Sequence, residues 1–164
     1  MRKTALLAAV AAFAPSAFAG GPLLVPSQYP TIQAAVHAAQ PGEVVILADG
    51  VYTGPGNRDI NFDGKNITVR SQNGAANCII DCEGTPVEPH RGFLFENGES
   101  RESLVEGITI INGATLPGAI SDPFNGAGMR IRLGASPTIK NCVFRNNNAA
   151  CWGGGVYVGF GGNP

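Results

Sequence analysis

The chain of 164 residues carries 23 Gly and 12 Pro, only 14% charged side chains and a formal net charge of −1. That balance excludes a helical bundle and a charged disordered tail, and it suits one turn-rich domain. A chain of this charge is a poor partner for a phosphate backbone, so no nucleic-acid partner is expected.

Met1 to Ala19 reads as a secretory leader. Arg2 and Lys3 form the basic start, Ala5 to Ala14 the apolar run, and Ala17-Phe18-Ala19 the small-x-small cleavage site. The apolar run is broken by Pro15 and falls short of the roughly 20 residues of a spanning helix, so the mature chain is expected to lack a membrane span. Cleavage after Ala19 removes two of the 11 basic residues against 12 acidic ones, leaving a weakly acidic product. The expected location is outside the cell, secreted or held at the cell surface or outer membrane. In that oxidising setting Cys78, Cys82, Cys142 and Cys151 have three pairings open to them. Cys78 and Cys82 bracket "IID", and in an extended segment their Cα atoms lie about 13 Å apart, too far for a bridge.

Residues 30–42, "PTIQAAVHAAQPG", place Ile32, Ala35, Val36 and Ala39 at helical spacing, and Pro41-Gly42 stops the run. A short amphipathic helix is expected there, laid over the first strands. Strand-like "VVILADGVY" follows. "DINFDG" (59–64) matches the opening of a calcium loop, with Asp59, Asn61 and Asp63 at alternate positions. The twelfth position, which an EF-hand fills with Glu, is Arg70, and the flanks are strand-like. What remains is an edge site for one Ca²⁺ at Asp59, Asn61 and Asp63, weighed against a solvated strand face, which is preferred. Asn66-Ile67-Thr68 has the form of a glycosylation sequon. His37 lies off the apolar face of the helix and His90 in the loop 86–92. Neither has a metal or triad partner at sequence spacing, so both are expected on the surface.

The second half repeats itself. "GAGMRIRLGASP" (126–137) overlays "GGGVYVGFGGNP" (153–164) at an offset of 27, and "VEGITIING" (105–113) overlays "IKNCVFRNN" (139–147) at 34. A third overlay sets "NITVRS" (66–71) on "GITIIN" (107–112) at 41. Short β-branched strands recurring every few tens of residues predict a solenoid in which like stacks on like. The expected inward columns are Phe93–Met129–Val156, Phe95–Ile131–Val158, Val105–Ile139 and Ile110–Phe144, with Asn112 and Asn146 stacked at a bend. Residues 43–164 would form the coils. Because the repeat breaks off at Pro164, the chain is expected to be the N-terminal part of a longer solenoid, with an open last coil able to self-associate.

Arg130 and Arg132 project outward in "MRIRL", and with Tyr157 they make a candidate ligand surface for an acidic sugar. The preferred alternative is structural: Arg132 pairs with Glu96 one coil back, and Arg130 covers Tyr157 one coil on. Trp152 takes the place held by Asn125 in the matching coil and is expected to cover a loop. No catalytic residue, cofactor site or metal site is expected within the chain beyond these candidates.

These features together resemble the right-handed parallel β-helix proteins of the pectin-lyase-like class. "YPTIQAAVHAAQPGEVVILADGVY" resembles the cap and first strand common there. The tail is similar to polymorphic outer-membrane-protein repeats, with Phe144 to Asn147 matching F-x-x-N and Gly154 to Tyr157 matching G-G-[ALVI]-[ILVY]. The resemblance implies an all-β solenoid, capped by a helix, with polysaccharide or cell-surface glycans as the partner class. It does not fix an activity. The Trp-x-Asp-His and Arg-x-Pro-x-x-Arg segments of pectate lyases are missing, as are the Gln-Ala-Val and Asp-Phe-x-Phe-Gly segments of pectin methylesterases. The expectation is therefore a non-catalytic scaffold or weak carbohydrate or adhesion surface. The alternative is a piece of a polysaccharide lyase or other carbohydrate-active enzyme whose site lies beyond residue 164.

Overall fold

The computed structural model describes residues 20–117, 125–159 and 161–164; the leader expected at 1–19 lies outside them. Among these residues thirteen short strands and one helix follow in the order β1 (Leu23–Val25), α1 (Ile32–Ala38), β2 (Val44–Leu47), β3 (Gly50–Tyr52), β4 (Ile60–Asn61), β5 (Thr68–Ser71), β6 (Cys78–Asp81), β7 (Phe93–Phe95), β8 (Leu104–Glu106), β9 (Thr109–Ile111), β10 (Met129–Ile131), β11 (Thr138–Lys140), β12 (Val143–Arg145) and β13 (Val156–Val158). They form three sheets, ordered β1-β2-β5-β8-β11, β3-β6-β9-β12 and β4-β7-β10-β13. Every strand pairing is parallel. From β2 onward the strands visit the three sheets in rotation, so each consecutive trio makes one coil, an arrangement consistent with a parallel all-β solenoid.

The registers explain why such short strands hold. Leu23, Val45, Val69, Val105 and Ile139 stand in line through the first sheet. Tyr52, Ile80, Ile110 and Phe144 do so in the second, and Ile60, Phe93, Met129 and Val156 in the third. All four expected columns are present in register, and their side chains are buried or half-buried except for Val158 at the end of the second, which is 43% exposed. Alternation sends every second side chain inward, and the three inner faces meet in one core that includes Phe62, Phe93 and Phe95. The Phe93 and Phe95 rings are near-parallel at 6.1 Å, and Phe62 stands edge-on to Phe95 at 4.9 Å.

Bends repeat as faithfully as strands. Asn112 and Asn146 both adopt φ 56, and Asn112 Nδ2 donates to Asp81 Oδ1 in the preceding coil at 3.0 Å. Close stacking requires bare backbone at Gly128, where a Cβ would come within 2.5 Å of the Gly155 carbonyl oxygen.

One overlay does not survive. β5 faces β8, with Val69 beside Val105, whereas β9 faces β6, so 66–71 and 107–112 lie on different sheets. Strands of all faces share the same period and the same residue types; the loops decide which strand meets which.

The cap is shorter than 30–42. Thr31 is its N-cap, accepting from Ala34 N at 3.2 Å, and Ile32, Ala35 and Val36 are buried. The helix lies against β1, β2 and β4. Two ties were not foreseen. Gln33 donates through Nε2 to Asn61 O (2.9 Å) and accepts from Asn61 N (3.0 Å), so one side-chain amide pairs with β4 as a neighbouring strand would. Lys65 Nζ donates to the carbonyls of Val36, His37 and Ala39 at 3.0, 2.8 and 3.1 Å, occupying the C-terminal acceptors of α1.

Candidate ligand cleft at the capped end

A polar cleft of about 400 Å³ opens between α1, the loop before β4 and the turn after it. Gln33 and His37 enter from one face of the helix, Arg58 and Asp59 from the loop, Asn61 and Asp63 from β4 and its turn, and His90 from the next coil. Both histidines of the chain therefore reach one depression, each beside a carboxylate. His90 Nδ1 lies 2.6 Å from Asp59 Oδ2, and His37 Nε2 lies 3.5 Å from Asp63 Oδ2. Their expected lack of partners is thus corrected, because those partners are a coil or a turn away, where local spacing does not reach; the expected surface position holds for His37, at 62% exposure, whereas His90 is at 21%.

Asp59 is held firmly. Its backbone is left-handed at φ 54, and its Oδ1 accepts from Arg91 N at 2.9 Å. Asn61 Oδ1 accepts from Asp63 N at 2.8 Å and from Asn97 Nδ2 at 2.9 Å. Of the calcium candidate Asp59, Asn61 and Asp63, the Asp59 carboxylate and the Asn61 Oδ1 are thus engaged with protein partners, while the half-exposed Asp63 carboxylate faces His37. Among the described residues no group of three or more His, Cys, Asp or Glu side chains converges as metal ligands. Arg58 is committed to Glu83 Oε2 at 2.9 Å and to Cys82 O at 3.1 Å.

The arginine candidates lie on another face. Arg132 meets Glu96 Oε2 through Nε at 2.8 Å and Nη2 at 2.7 Å, the expected pair. Arg130 shares that oxygen at 3.2 Å while standing in register with Tyr157. Arg130 is buried, with 7% exposure, which corrects its expected outward display. Gly126 packs directly on it, since a Cβ there would sit 3.0 Å from Arg130 Cβ. Arg91, donating to Gly126 O and Asn125 O, lies half-buried beside the same cluster; partial burial first, and then the Arg130 guanidinium, push its own guanidinium below the ordinary value.

Other expectations fare unevenly. Trp152 is half exposed, and its backbone N donates to Asn125 Oδ1 at 3.0 Å. The sequon Asn66 is engaged, its Oδ1 accepting from Ser100 Oγ at 2.9 Å and its Nδ2 donating to Glu102 Oε2 at 3.1 Å. All four cysteines are free thiols. Burial raises Cys78 and Cys82 to about 12, with nearby Asp49 and Asp59 adding to it respectively. Among the described residues no helix is long and apolar enough to cross a membrane. In comparisons with protein-family models, curated proteins and solved structures, the chain finds no match.

Proposed function

We propose that this chain is a right-handed parallel β-helix of the pectin-lyase-like class, exported through its leader and acting outside the cell as a non-catalytic scaffold that meets glycans. The observation that supports this best is how outward charges are spent between coils. Arg70, Glu106 and Lys140 alternate in register along the first sheet, with Lys140 Nζ 3.1 Å from Glu106. Glu96 is shared by Arg130 and Arg132, and Glu83 holds Arg58. Side chains that satisfy one another across neighbouring coils stiffen a rod; a ligand would have to break those pairs before it could use them.

The test has two arms. Produced in a secreting bacterial host, the chain should be recovered outside the cytoplasm with Gly20 as its first residue; retention inside with an intact leader would overturn export. Incubated with polyuronates and calcium, the purified product should yield no unsaturated uronide absorbance while still binding some members of a glycan array. Turnover of any of these substrates would overturn the scaffold reading.

A further inference from the structure

We propose that the Asn97–Gly98 pair is a site of spontaneous chemical modification, where Asn97 deamidates through a cyclic imide and thereby loosens the turn behind the polar cleft. Asn-Gly pairs occur at 73–74, 97–98, 112–113 and 125–126. Glycine puts no Cβ in the way of ring closure. The ring still forms only where the glycine nitrogen is free to reach the asparagine Cγ, and the fold withholds it in three of the four pairs. Gly74 N donates to Ser71 Oγ at 3.0 Å, Gly113 N to Asn147 Oδ1 at 2.8 Å and Gly126 N to Trp152 O at 3.0 Å. Gly98 N has no hydrogen-bond partner among the described residues, and Asn97 and Gly98 are both exposed. The Asp-Gly pairs, which form the same ring, are held as well: Gly50 N donates to Asn77 O at 2.8 Å and Gly64 N to Glu99 Oε1 at 3.0 Å. Asn73 is an internal control, since it too is exposed and differs from Asn97 in the bound nitrogen that follows it.

The step needs water and no redox partner. Gly98 N bonds to Asn97 Cγ, the Cγ–Nδ2 bond breaks, and ammonia leaves with the proton of the Gly98 amide. Water then opens the imide. Attack at Cγ leaves aspartate in an unaltered backbone; attack at the backbone carbonyl leaves isoaspartate, with the chain rerouted through Cβ and Cγ. Either product replaces a donor with a carboxylate. Asn97 Nδ2 donates to Asn61 Oδ1 at 2.9 Å, and a carboxylate in its place sets acceptor against acceptor. The isoaspartate detour also lengthens the chain between Asn97 N and Glu99, the buried carboxylate that accepts from Asn97 N and Gly64 N, both at 3.0 Å. Asn61 lines the cleft, so the change is felt there.

The full chain, held for days at mildly alkaline pH, should convert in tryptic peptide 92–101, which contains Asn97 alone, to two chromatographic products with the mass of the acid. Conversion there should run about tenfold or more faster than in peptide 71–91, with the 73–74 pair, or 102–130, with the other two, because those pairs must first open locally. In urea all four pairs should convert at similar rates. Asn97→Gln, whose longer chain closes a ring far more slowly, should leave peptide 92–101 nearly unchanged. Asn97→Asp, which carries the product from the start, should speed amide exchange at 61–66 and leave 104–111 as it was. Equal rates at Asn73 and Asn97 in the folded chain, or an intact 92–101 where the urea control converts, would overturn the site. Unchanged exchange at 61–66, both in Asn97→Asp and in the aged chain, would overturn its effect on the cleft.

Discussion

Replacing Lys65 by Met tests how the cap is held. The ammonium has three protons, and all three are consumed by the carbonyls of Val36, His37 and Ala39. Methionine keeps the stem and removes every donor together with the charge that complements the helix terminus. A hydrogen bond to a charged group contributes about 1.5–3 kcal/mol when dry. Val36 and Ala39 are fully covered, but Lys65 itself is only half-buried and keeps some access to water, so about 1 kcal/mol each is the better figure, or ~2–3 kcal/mol in all. For a chain of this length the melting midpoint should fall by about 5–10 °C. Amide exchange in residues 30–42 should accelerate more than exchange around β8 and β9, because the loss is local before it is global. Lys65→Arg should recover only part of the loss, since a planar fork aims its donors poorly at three converging carbonyls. A change under about 0.5 kcal/mol, with exchange at 30–42 unaltered, would refute the clamp.

Glu96→Gln should cost about 2 kcal/mol by leaving Arg130 and Arg132 with weaker compensation in a largely buried setting, read as a shift in urea midpoint; a double cycle with Arg132→Gln should show coupling. Cys78 and Cys82 are raised in the fold from 9.0 to about 12, so their contribution is intact below about pH 9 and lost as pH climbs toward 12, at up to ~1.4 kcal/mol per unit for each thiol. In native protein at mildly alkaline pH, iodoacetamide should label Cys151 and spare Cys78 and Cys82, as mass spectrometry of peptides will show. The coil of β11, β12 and β13, whose side chains are mostly half covered or exposed, should exchange its amides faster than the coil of β8, β9 and β10. Equal protection of the two would contradict nearest-neighbour stacking as the source of stability.

Much of the architecture was legible because stacked strands carry like residues in like places. Met129 over Phe93 and Val156 over Met129 follow from glycine-flanked segments whose loops are of readable length, and the Glu96–Arg132 pair follows from the same register. The cleft was not legible. Asp59 and His90 are 31 positions apart, on loops that resemble nothing else in the chain, so no periodicity points from one to the other. The usable signal was Ile60: once its two-residue strand is set beside Phe93, the residues just before each strand are neighbours. Lys65 escaped for a related reason, since it reaches back 26 to 29 positions to a helix end whose acceptors are backbone and leave no trace in side-chain pattern. Arg130 was misjudged because alternation assigns a side chain to the outer face without saying whether a loop then covers that face.

The Gln33 amide that imitates a strand against β4 closes one end of the rod. That end is finished with a helix and a borrowed hydrogen-bond pair, both of whose partners are in place once β4 has formed. A chain emerging N-terminus first therefore fastens its lid together with its first coil, and every later coil arrives on a surface already in shape to receive it. Assembly becomes vectorial, with each turn templated by the one before.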